Sequence, residues 1–165
     1  MSGIWYHKAI VNDLNITELR PMKIQKFPLV VRALQKGNME VTLTFLHNGE
    51  CVQLEFLMEK IEKPGLYKAV WDTLLTYIYE LPVLDHYVFY SECKLIDGKF
   101  YVAELIGKDL NENRQALEEF KKFIQLKGFP PENIIVPEQR EMCVPKVHNA
   151  APQNCKSQAN SVSNA

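Results

Sequence analysis

Apolar and polar residues alternate along much of the chain before residue 107. Every second residue is apolar over Met39–Phe45, and the alternation returns over Val52–Met58. A period of two predicts β-strands with one face in a core. The pair Asn48-Gly49 between the two runs is a strong short-range signal for a hairpin turn. Lys63-Pro64-Gly65 and Asp97-Gly98 are further turn signals.

From Trp5–Val11 to Lys99–Ile106, eight strand candidates follow one another at short spacing, with turn residues between them. This pattern predicts an all-β domain, either an up-and-down barrel or a sandwich. This domain should extend over residues 1–145. Residues 146–165, rich in Asn, Ser, Ala and Gln, predict a disordered C-terminal tail.

The period changes after the last strand candidate. Leu117, Phe120 and Ile124 have helical spacing, which predicts one amphipathic helix over about residues 112–127. Asparagines are available as its N-cap and Glu112 as an acid in its first turn. The apolar run Ile134–Val136 predicts a short ninth strand.

Composition excludes several partners. The chain has 165 residues and a formal net charge of −1, from 19 basic and 20 acidic residues. This balance gives no electrostatic reason to expect nucleic acid or an anionic membrane as a partner. No apolar run approaches the roughly 18 residues of a membrane span, so we expect no stable membrane insertion. We predict no metal site and no cofactor.

Three short motifs resemble the lipocalin family. They are Gly3-Ile4-Trp5 at the first strand, Asp85-His86-Tyr87 before the seventh and Gly107-Lys108-Asp109 after the eighth. Over Gly3–Pro145 the sequence is similar to von Ebner's gland (tear) lipocalins, odorant-binding proteins and late lactation proteins. The resemblance implies an eight-stranded antiparallel up-and-down β-barrel, with the helix packed outside and a short ninth strand.

The resemblance also implies structural roles. Gly3, Asp85 and Tyr87 belong to its motifs, and Trp5 should plug the closed end of the barrel. The family usually has an arginine over this tryptophan. Lys108 takes that position and lacks the planar guanidinium, so we expect a weaker lid.

The chain has four cysteines. The resemblance pairs Cys51 with Cys143, against the alternative of four reduced thiols. It assigns nothing to Cys93 and Cys155, which could pair with each other, bond to another molecule or stay free. Asn15 begins a glycosylation sequon, Asn15-Ile16-Thr17, in an early loop.

If the fold is a barrel, strand parity from Trp5 predicts which side chains point inward. The predicted ligand-lining residues are His7, Ala9, Val31, Val41, Leu43, Phe45, Leu54, Phe56, Met58, Tyr87, Phe89, Val102 and Glu104. Val11 shares the parity of Ala9. Glu104 either faces solvent through a parity slip or points inward, where His7 is its nearest plausible partner. An inward Glu104 should disfavour carboxylates and favour neutral alcohols, esters, steroids or amines.

The resemblance implies a secreted, extracellular protein that binds and transports an odorant, a pheromone or a lipid-like molecule, and is not an enzyme. We expect a monomer or weak dimer. The chain opens directly on a strand candidate, so if it is secreted we expect a mature or truncated form. One alternative is a mucosal defence or protease-inhibitory protein acting through its loops. Another is a lipocalin isomerase, which would need a reactive cysteine inside the barrel.

Overall fold

Eight antiparallel strands close into a barrel, with one helix outside. The structure, a computed structural model, describes residues 1–13, 24–69 and 72–145. The barrel order is β1-β3-β4-β5-β6-β7-β8-β9, and β9 pairs back with β1. The elements are β1 (Gly3–Asn12), β2 (Gln25–Lys26), β3 (Leu29–Ala33), β4 (Met39–His47), β5 (Glu50–Lys60), β6 (Leu66–Ala69), β7 (Leu74–Glu80), β8 (His86–Leu95), β9 (Gly98–Gly107), α1 (Arg114–Leu126) and β10 (Glu138–Gln139).

The predicted hairpin between β4 and β5 turns at Asn48-Gly49. Both residues have positive φ, 51° and 78°. Two successive positive φ values match a type I′ turn, whose twist suits the flanking strands. The turn sets the register in which Leu43 pairs with Leu54 and Val41 with Phe56.

Two apolar cores flank the barrel wall. One lines the interior around Trp5, and the other lies between the wall and α1, where Ala116, Phe120 and Ile124 are fully buried. The Asn113 side chain caps α1 by accepting a hydrogen bond from the Ala116 N–H at 3.0 Å. The helix is slightly shorter than predicted, and Glu112 precedes it, so the expectation of an acid in its first turn is wrong.

A bulge in β1 reverses the strand's parity. His7 pairs with Ile106 and Ala9 with Leu105, so Lys8 is an extra residue between the two pairs. Ala9 and Val11 therefore belong to the core beneath α1. The inward placement that parity predicted for these two residues is wrong.

The predicted ninth strand reduces to one bridge. Within Ile134–Val136, Ile135 alone pairs with β1, exchanging two backbone hydrogen bonds with Ile10. The chain then forms β10, which runs parallel to β2 in a separate two-stranded sheet. In the described residues no helix is long and apolar enough to cross a membrane.

The C-terminal segment is tied to the barrel by a disulfide. Cys51, at the start of β5, bonds to Cys143, with a Cα–Cα distance of 6.0 Å and a sequence separation of 92 residues. This is the pairing that the resemblance implies. Asn15, Cys155 and the predicted tail at 146–165 lie outside the described residues.

Candidate functional site inside the barrel

The inner face of the barrel carries most of the residues predicted to line a binding site. Phe45 and Leu54 share the face of Leu43, because Leu54 pairs directly with it and Phe45 follows two residues later. The other apolar members pack into the interior core with Trp5: Val31, Val41, Leu43, Phe56, Met58, Tyr87, Phe89 and Val102.

These inward side chains differ in exposure. Val31, Val41 and Met58 are buried, as core residues are. Leu43, Phe56, Phe89 and Val102 point into the same interior, yet they are only half-buried. An inward side chain of a closed barrel keeps accessible surface only if solvent reaches the interior. Eight strands leave room inside for one small ligand.

Glu104 lies on this inner face. It pairs with Phe89 on one side and Ile10 on the other, and directly paired residues share a face. Ile10, which parity did not assign to the interior, joins this row because of the bulge. The Glu104 side chain is 18% exposed.

Two basic side chains, His7 and Lys26, meet the Glu104 carboxylate. His7 Nδ1 hydrogen-bonds Oε2, and Lys26 Nζ lies 3.9 Å from Oε1. An ionised carboxylate only accepts hydrogen bonds, so His7 Nδ1 carries the hydrogen of this bond. The His7 backbone carbonyl in turn accepts a hydrogen bond from Gln139 Nε2 at 2.5 Å.

The pKa of Glu104 reflects this environment. Burial raises the pKa, whereas Coulombic attraction to His7 and Lys26 and the hydrogen bond from His7 lower it. The lowering outweighs the burial, and the pKa falls from 4.5 to about 2. Glu104 is therefore ionised at neutral pH, inside a largely apolar space.

Sequence reasoning missed Lys26. It lies in β2, a two-residue strand that β10 holds in place, and no periodic pattern surrounds it. It also missed the hydroxyl pair Thr76–Ser91, whose side-chain oxygens lie 2.9 Å apart. Thr76 pairs with Ser91 and Ser91 with Val102, so both hydroxyls are on the inner face, one row from Glu104.

Comparisons with known proteins agree with this architecture. The model of the lipocalin / cytosolic fatty-acid binding protein family matches residues 2–141. This chain belongs to the lipocalin family.

Named relatives match this lipocalin over most of both chains. It is 40% identical to vomeronasal secretory protein 2 of Mus musculus, over 94% of this chain and 83% of that protein. It is 38% identical to odorant-binding protein 2a of the same species, over 87% and 81%. Among solved structures, the siderocalin Ex-FABP has a TM-score of 0.73 at 15% identity, covering 86% of this chain and 98% of the other. That likeness supports the fold.

The three sequence motifs meet at one end of the lipocalin barrel, around Trp5. The ring of Tyr87 meets the ring of Trp5 edge to face, with 5.3 Å between centroids. Lys108 Nζ lies 4.5 Å from the centroid of the Trp5 ring and donates a hydrogen bond to the Ser2 carbonyl at 3.1 Å. The ammonium group of Lys108 thus lies over the Trp5 ring and makes a cation–π contact with it. Asp85, at positive φ, accepts a hydrogen bond from the Lys108 N–H at 3.1 Å.

Two glycines of these motifs lie where an added side chain would meet close neighbours. A Cβ at Gly107 would lie 2.6 Å from Lys8 Cδ and 2.9 Å from His86 Nε2. Gly3 has a φ of +119°, and a Cβ there would lie 2.4 Å from Lys108 Nζ. Both glycines therefore allow the close contacts around Trp5 and His86 at this end.

Cys93 also points inward, where it is buried beside Phe100. It is disulfide-bonded, and the described part of the chain contains no free cysteine. In the same residues no group of three or more His, Cys, Asp or Glu side chains could hold a metal ion.

Proposed function

We propose that this lipocalin binds a small hydrophobic molecule inside its barrel and transports it in an extracellular fluid. The observation that carries the proposal is the half-buried state of Leu43, Phe56, Phe89 and Val102 on the inner face. Burying such surface against an apolar ligand stabilises a complex by about 25 cal/mol per Å² before the costs of association.

The extracellular setting has separate support. The Cys51–Cys143 disulfide closes a long loop, and structural disulfides of this kind persist in oxidising compartments. One relative is named a secretory protein and another an odorant-binding protein. We therefore propose that the ligand is an odorant, a pheromone or a lipid-like molecule.

A carrier also fits the chemistry of the interior better than an enzyme does. An isomerase would need a reactive thiolate there, and Cys93 is disulfide-bonded. His7 Nδ1 is engaged by Glu104, and Thr76 and Ser91 bond to each other. Nothing in the described residues favours protease inhibition through the loops, which stays a prediction of the sequence.

Native mass spectrometry of the purified protein, together with titration of the fluorescent probe N-phenyl-1-naphthylamine, tests the proposal. We expect one probe molecule per chain, displaced by dodecane. Val102→Trp should fill the interior and weaken probe binding at least tenfold. Leu57→Trp is the matched control, because Leu57 is exposed and pairs with Glu40 on the outer face. Equal binding by the two variants would place the probe outside the barrel.

A further inference from the structure

We propose that Glu104, held by His7 and Lys26, is the head-group site of the interior and takes a neutral hydroxyl donor, an alcohol or a phenol, in preference to a carboxylate or an ammonium. The inference rests on the proposed function, since it names the class of molecule that the barrel would carry. This ligand class is narrower than the one expected from the sequence, which also included amines.

The first step is the unused hydrogen-bonding capacity of Glu104. A carboxylate has about four acceptor positions. Among the described residues, His7 donates the single hydrogen bond that reaches it. Lys26 Nζ, at 3.9 Å, is beyond hydrogen-bond distance. Thr76 and Ser91, two hydroxyls on the same face, hydrogen-bond each other. Glu104 thus has acceptor positions left for a ligand, and its charge makes it a stronger acceptor than a neutral hydroxyl.

The second step is the surroundings of the carboxylate. Phe89 and Ile10 flank it across the two neighbouring strands, and Val102 and Ile106 precede and follow it on the inner face of β9. A ligand that donates a hydrogen bond to Glu104 therefore places the rest of its body against apolar side chains. A hydrophobic molecule with one terminal hydroxyl fits this arrangement.

The third step is charge. The carboxylate is already balanced by Lys26, with His7 as a further cation when protonated, so a neutral head group leaves the balance undisturbed. A ligand carboxylate has no hydrogen to donate to Glu104, and an anion in contact with Lys26 would lie within roughly 7 Å of the Glu104 charge. A ligand ammonium would be attracted by Glu104 but repelled by Lys26. For both charged classes, the cost at the head group offsets part of the binding free energy that contact with the apolar wall provides.

The test is displacement of N-phenyl-1-naphthylamine at pH 7.5 by four ligands of equal chain length: dodecan-1-ol, dodecanoate, dodecylamine and dodecane. We expect dodecan-1-ol to compete at least tenfold better than dodecanoate and dodecylamine. In Glu104→Gln the preference for dodecan-1-ol over dodecanoate should fall to threefold or less. The charge that repels dodecanoate is then gone, and Lys26 no longer faces a carboxylate of the protein at this position. Glu92→Gln, on the neighbouring strand but facing outward, should keep the wild-type ratios.

Lys26→Met is a second, independent variant with the opposite sign. Removing the cation should improve competition by dodecylamine at least fivefold relative to dodecan-1-ol. It should also weaken competition by dodecanoate further. It carries the test if Glu104→Gln does not fold. Equal competition by alcohol and carboxylate in the wild type, or unchanged ratios in the Lys26 variant, would overturn the head-group proposal. If instead the probe does not bind the wild type, or dodecane does not displace it, the proposed function itself fails.

Discussion

The Glu104 carboxylate should make this protein lose stability in acid by a measurable amount. The perturbation is Glu104→Gln, which keeps the shape of the side chain and removes its charge. The pKa of Glu104 falls from 4.5 to about 2 because His7 and Lys26 stabilise the ionised form in the folded state. One pKa unit corresponds to about 1.4 kcal/mol, so the charge contributes about 3 kcal/mol to the free energy of unfolding.

The sign follows from the direction of the shift. A carboxyl whose pKa is lower when folded contributes stability that is fully present above its unfolded pKa, here 4.5. That stability is lost as the pH falls through the folded pKa of about 2. The Gln variant has no such group. The difference in unfolding free energy between wild type and variant should therefore shrink by about 3 kcal/mol between pH 5 and pH 2.

Urea unfolding followed by circular dichroism at several pH values measures this difference, and urea avoids the screening that guanidinium salts cause. Glu92→Gln is the control, because Glu92 faces outward and forms an ion pair with Lys99 at 3.5 Å. Pairs of that kind contribute about 0–1 kcal/mol, so the control difference should stay nearly constant. A Glu104 difference that does not change between pH 5 and pH 2 would show that the folded state does not stabilise this charge.

Three other contacts give predictions of defined sign. Replacing Cys51 and Cys143 together by serine should cost about 4–5 kcal/mol for the 92-residue separation and lower the Tm by about 10–15 °C in calorimetry, with far-ultraviolet circular dichroism unchanged. Lys108→Met should cost about 0.5–1 kcal/mol in urea unfolding, whereas Lys108→Arg, which keeps a cation over Trp5, should cost nothing. Phe120→Ala should cost about 3–5 kcal/mol, because this ring is the largest fully buried side chain and belongs to the core beneath α1. Unchanged stability in the double serine variant, in Lys108→Met or in Phe120→Ala would contradict the contact concerned.

The strands of the barrel could be predicted because the sequence signals that specify them are local. Period two over β4 and β5 predicts which face is apolar, and Asn48-Gly49 fixes the register between them. Once the register is set, the side chains of Leu43 and Phe56 must lie on the inner face. The choice of a barrel over a sandwich needed the resemblance, since both folds use the same alternation.

The errors lie where one residue changes the geometry without changing the pattern. Ala9 and Val11 are apolar, and both faces of β1 are buried, one in the barrel and one beneath α1. Hydrophobicity therefore gives no sign that Lys8 is an extra residue in the strand. The bulge becomes visible only in the pairing of β1 with β9.

The polar site combines both kinds of information. Glu104 and His7 occupy neighbouring strands, and parity alone suggests that they meet. Lys26 reaches the carboxylate because β10 pairs with β2, and Gln139 of β10 also bonds the His7 carbonyl. The disulfide at Cys143 ties this same segment to β5 a few residues later. The charge balance of the interior thus depends on the C-terminal segment outside the barrel, and two polar residues, Glu138 and Gln139, form the strand that positions it. Hydrophobic periodicity carries no signal for such a strand, which explains why the apolar wall of the site could be predicted and its cation could not.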